Sequence, residues 1–111
     1  MWVLLNHVKP DRRETFEKFI HEIFWPQAVK LEPADQKAFR QTRVLHPVEQ
    51  NEDGTYTYVF LMDPLIPDAS YSILNFLEKM YSEEKAKEYY KMFTESLNRP
   101  QEGYEVIQSE Y

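Results

Sequence analysis

Apolar and polar positions change period several times along this chain, and each change marks an element. Met1 to Val8 (MWVLLNHV) is an aliphatic run whose polar residues come late and which Lys9-Pro10 stops, the pattern of a buried strand. Asp11-Arg-Arg-Glu14 follows with the spacing of a carboxylate capping box, so a helix is predicted to start there. Phe16, Phe19, Ile20, Ile23 and Phe24 then recur at steps of three and four, while Arg13, Glu17, Lys18 and Glu22 lie largely off that stripe. Pro26 has no amide for the helix ladder, so the helix is expected to end or kink around Trp25, with a short further turn from Ala28 to Leu31.

Beyond Glu32-Pro33 the period falls to two. Phe39 to Val48 and Thr55 to Asp63 read as the strands of a hairpin, with Asp53-Gly54 supplying the turn chemistry. Pro47 lacks a ladder donor and assigns the first of these strands to a sheet edge. The second has apolar residues on both alternations, Tyr56, Tyr58, Phe60 and Met62 on one and Val59 and Leu61 on the other, as an inner strand does. Asp63 to Asp68 reads as a stiff loop. Ile73, Phe76, Leu77 and Met80 then give a helical stripe, and Ser82 caps a further helix on which Ala86, Tyr89, Tyr90, Phe93 and Leu97 share a face. Asn98-Arg99-Pro100 closes that helix, and Tyr104 to Tyr111 reads as a last strand.

Strand, helix, strand, strand, helix, strand is the split β-α-β order of an α+β, ferredoxin-like fold (βαββαβ) with a four-stranded antiparallel sheet. The first and third strands are then central and the helices cover one sheet face. The 111 residues are expected to form one such domain, 1–111. Because the inner strands carry apolar residues on both sides, the second face needs cover. The simplest cover is another copy of the chain, so a homodimer with an apolar chamber is expected.

Composition narrows the partners. Thirteen Lys and Arg against 19 Asp and Glu leave a net charge of −6, which repels a phosphate backbone, so no nucleic acid is expected. With no Cys, disulfides and thiol chemistry drop out. The longest apolar run, Tyr58–Met62, is far too short to span a membrane, and the first residues lack the pattern of a secretory signal. No membrane partner and a cytoplasmic location are therefore expected. Aromatic residues at 15% suit a flat apolar chamber or dense packing. No Gly-rich phosphate loop and no nucleophile elbow is present.

The element order, the start WVLLNHVKPD running into an amphipathic helix, and the hairpin into TYTYVFLMD together resemble the dimeric α+β barrel superfamily. That group includes antibiotic-biosynthesis monooxygenases, stress-responsive barrel proteins and haem-degrading monooxygenases. Asn6 stands near the end of the first strand, where cofactor-free and haem-degrading members carry a pocket Asn. The stretch FLMDPLIPDASYSILNFLEKM lacks the Trp and His that those monooxygenases place at and after the third strand. That departure from the family pattern argues against haem, and no cofactor is expected.

In the cofactor-independent monooxygenase chemistry so implied, a deprotonated aromatic or polyketide-like substrate activates oxygen itself. Asn6, with Tyr58 or His46, would hold the anion. Trp25, Tyr56, Phe60 and His7 are the candidate lining of the chamber. Asn6 and His7 are adjacent on a strand and point to opposite faces, and the pattern leaves open which faces the helices. Each also has a plain structural reading, as a hydrogen-bonded core group, and aromatics on a sheet face also serve as core or dimer interface. His21 stands at helical spacing from Glu14 and Glu17 and reads as a surface pair, and the three His show no metal-ligand motif, so no metal is expected. The alternatives to an enzyme are a non-catalytic ligand-binding or homo-oligomeric assembly module, or docking of another protein on the Pro64–Pro67 loop.

Overall fold

The computed structural model describes residues 1–64, 66, 71–107 and 109. Parts of the expected 63–68 loop, including Leu65, and of the expected 104–111 strand lie outside the described residues. Four strands form one antiparallel sheet: β1 (Trp2–Val8), β2 (Thr42–Leu45), β3 (Tyr56–Met62) and β4 (Glu102–Glu105). Their order is β2-β3-β1-β4, which puts β1 and β3 inside and is compatible with the ferredoxin-like arrangement.

Four α-helices are present among the described residues: α1 (Arg13–Lys18), α2 (Pro33–Arg40), α3 (Ile73–Met80) and α4 (Glu83–Ser96). Ser82 Oγ accepts from the Lys85 amide and caps α4, as its position predicts. The expected capping box at Asp11 and Glu14 is not made. The chain enters α1 through a 3₁₀ turn over Pro10–Arg12 whose cap is Lys9, so neither carboxylate meets a free amide at the cap. After α1 the helix widens to π-type turns over Phe19–Phe24 and tightens to a 3₁₀ segment over Trp25–Lys30, the change of pitch that Pro26 imposes. The Tyr81 hydroxyl donates to the Ile23 carbonyl at 2.6 Å, giving that irregular stretch an external partner.

Helix α2 is absent from the sequence reading, which began a strand at Phe39. That side chain belongs to α2 and packs on Phe24, Trp25 and Phe76, and β2 is only the four residues that follow Gln41. β2 is an edge strand, as expected, but Pro47 lies beyond its end rather than within it. Gly54 has φ +89°, the conformation that makes glycine useful in the hairpin connection, and Asp53 Oδ1 accepts from the Thr55 amide beside it.

The core occupies one side of the sheet. Leu4, Val8, Tyr58, Phe60 and Met62 pack with Phe16, Phe19, Phe24, Phe76, Leu77 and Phe93 from the helices. On the other side Val3, Leu5, Val59 and Leu61 are half-buried, and Leu45 and Tyr104 are 44% and 50% exposed. The molecule is accordingly a slab, 39 × 39 × 19 Å. No helix among the described residues is long and apolar enough to cross a membrane.

Candidate functional site

A polar row crosses the helix-facing side of the sheet. Asn6 pairs with Tyr58; continuing the β2 and β4 registers by one residue brings His46 beside Tyr58 and Gln101 beside Asn6. Asn6 is fully buried with both ends of its amide engaged: Nδ2 donates to the Tyr58 carbonyl at 3.2 Å, and Oδ1 accepts from Gln101 Nε2 at 2.7 Å. The His46 ring meets Tyr58 edge-on at 5.3 Å. The Tyr58 hydroxyl accepts from Arg13 Nε at 3.2 Å, and Phe16 covers its ring at 4.8 Å. Burial pushes the Tyr58 phenol above the usual tyrosine range, and the Arg13 hydrogen bond offsets part of that rise. The expected catalytic residues Asn6, His46 and Tyr58 therefore do lie side by side.

They do not share a face with His7. That ring is on the open face, with Nδ1 3.0 Å from Thr57 Oγ1 and Nε2 2.8 Å from Glu102 Oε1. Glu102 also accepts from Arg99 Nε and from the Tyr104 hydroxyl. Tyr104, then Arg99, then His7 hold its carboxyl below the ordinary glutamate range. Strand parity separates the expected lining residues in the same way. Tyr56 and Phe60 follow Tyr58 to the helix side, where Arg13 lies 3.9 Å over the Tyr56 ring. Trp25 packs on Phe39. Trp25 and Phe60 border one hollow, but at about 30 Å³ it holds no more than a water or two. A chamber on the open face would thus have His7 as its sole expected lining residue.

A cleft of about 780 Å³ opens instead between the β1–β4 edge and helices α3 and α4. Trp2, Tyr90 and Phe93 give it apolar walls, and Thr94, Asn98 and Gln101 give it hydrogen-bonding groups. Gln101 joins the cleft to the buried Asn6. Gly103 makes room for this wall: a β-carbon there would stand 3.2 Å from Trp2 Nε1 and 3.1 Å from Leu4 Cδ2. The sequence reading missed the cleft; Gly103, just ahead of the expected last strand and inside β4, was its available signal.

A second cluster brings His46 to the Glu17–His21 pair. Glu17 and His21 lie one turn apart, and His46 arrives just past β2. His46 Nδ1 is 3.4 Å from Glu17 Oε1, and the two imidazoles stack at 5.3 Å with 13° between their planes. One donor atom from each of the three residues lies within 4.8 Å of the other two. No family model matches this chain, and no curated protein is significantly similar to it.

Proposed function

We propose that this protein is a small-molecule-binding domain of the dimeric α+β barrel kind, taking an aromatic or polyketide-like ligand in the cleft beside Trp2. The observation that carries the reading is a cleft of about 780 Å³ with aromatic walls and a few amide and hydroxyl groups, the make-up of a site for a flat, partly polar molecule. Non-catalytic binding is favoured over cofactor-independent oxygenation because Asn6, the oxyanion donor that oxygenation would use, already has both amide ends engaged.

The pairing rests on the open face. Val3, Leu5, Leu45, Val59 and Leu61 make a contiguous apolar surface on a slab 19 Å thick. A second copy suits it, since Arg43 stands on the β2 edge and Tyr104 and Glu102 on the β4 edge. A two-fold axis along the strands sets these unlike edges on each other.

Trp2 fluorescence provides the test. Titration with the aromatic probe 1-anilinonaphthalene-8-sulfonate is expected to quench tryptophan emission saturably in the unaltered protein. Phe93→Ala and Thr94→Trp, which reshape the walls, should each shift the midpoint at least fivefold. Equal titrations in all three proteins would reject the cleft as the binding site.

A further inference from the structure

We propose that Glu17, His21 and His46 form a binding site for a divalent d-block ion of the Zn²⁺ class. The inference is independent of the cleft, which lies on the other side of the sheet's polar row. Two imidazoles and one carboxylate are the donor set that favours zinc and its neighbours over the all-oxygen shells of magnesium or calcium.

The geometry is close to what such an ion requires. A tetrahedral shell with bonds near 2.0–2.1 Å sets its donor atoms roughly 3.3 Å apart. The pair His46 Nδ1 and Glu17 Oε1 already stands at 3.4 Å, and the widest of the three donor separations is within 4.8 Å. His21 is exposed, so its ring is free to swing through the remaining ångström or so.

The His46–Glu17 pair engages one imidazole, and His21 brings a second beside it; a shared ion would engage both rings through their in-plane nitrogen lone pairs, which the donor-atom separations allow. Tyr58 meets the His46 ring edge-on and its hydroxyl also interacts with Glu17, while Arg13, one turn before Glu17, hydrogen-bonds the Tyr58 hydroxyl, lies over the Tyr56 ring and attracts Glu17, a positive charge that a bound cation has to offset. His21 also borders a hollow of about 190 Å³ with Ile20, Trp25, Thr42 and Val44. Three protein donors leave a fourth position, which a water or small anion in that hollow can fill, so the site is of the open kind.

Titration of the full chain with Co²⁺ near neutral pH, read by the visible d–d absorption of the tetrahedral ion, tests the proposal. The unaltered protein is expected to take one ion per chain and to release it to Zn²⁺. His21→Ala and His46→Ala should each weaken binding at least tenfold, Glu17→Gln similarly, and Glu84→Gln at an exposed position of α4 outside the cluster not at all. All three ligands are at least partly solvent-exposed, and far-UV circular dichroism verifies that the variants remain folded. His21→Asn provides a second variant should His21→Ala unfold. Absence of a d–d band at millimolar Co²⁺, or equal affinity in a His21→Ala/His46→Ala double variant, overturns the site.

Discussion

Gln101 Nε2 donates to Asn6 Oδ1 across 2.7 Å, joining the wall of an open cleft to the most deeply buried amide of the sheet. Loss of either partner strands the other. Asn6→Ala leaves the Tyr58 carbonyl and the Gln101 amide without their partner and is expected to cost about 1–3 kcal/mol in urea denaturation. Gln101→Ala should cost less, because that side chain reaches solvent. A double-mutant cycle is expected to return a coupling of about 1 kcal/mol, and strict additivity would refute the link.

Tyr58 should be among the last phenols to ionise. Burial raises it above the ordinary range, with Arg13 offsetting part of the rise. In an alkaline titration followed by tyrosinate absorbance, the difference between the unaltered protein and Tyr58→Phe is expected to stay flat through the range of exposed tyrosines and to appear only above it. A difference developing near pH 10, the ordinary value, would contradict the assignment.

Glu102 gives the protein an acid-sensitive contact. Its carboxyl is lowered from 4.5 in the folded state by Tyr104, Arg99 and His7, so its stabilising contribution is complete above about pH 4.5 and is lost as pH falls through the lower folded value. Glu102→Gln should therefore be less stable than the unaltered protein near neutrality, with the gap closing in acid. Thermal melts at a series of pH values read this directly, and a gap that persists unchanged in acid would exclude the ionised contact as its source.

Leu61 lies opposite Val3 on the open sheet face. If the proposed pairing holds, Leu61→Arg is expected to shift the protein from dimer to monomer in sedimentation equilibrium while leaving its circular dichroism intact, because no described helix packs on that side. An unaltered protein that is already monomeric at high micromolar concentration would remove the proposed pairing.

Much of the fold can be read from spacing alone, since β1, β3, the first helical stripe, α3 and α4 each carry a long or strongly periodic signal. Short elements escape it. The stretch from Phe39 to Val44 imitates a strand although Phe39 lies in the last turn of an eight-residue helix, and β4 begins at Glu102 rather than Tyr104. The spacing of Asn6 and His7 showed that they part company, but only the packing of helices on Leu4, Asn6 and Val8 decides which one is covered. Glu17 and His21 are visible as a pair one helical turn apart. The approach of His46 depends on strand register across a hairpin, a non-local relation that local periodicity does not encode.

Gly103 bears on how the binding wall could change. The indole of Trp2 rests where a methyl group at position 103 would intrude. One hydrogen atom thus sets the clearance of the largest ring on that wall, and replacement by alanine or valine would tilt it toward the opening. If the proposed cleft binds a small molecule, the size it admits is thus set in part by a backbone position that need not touch it.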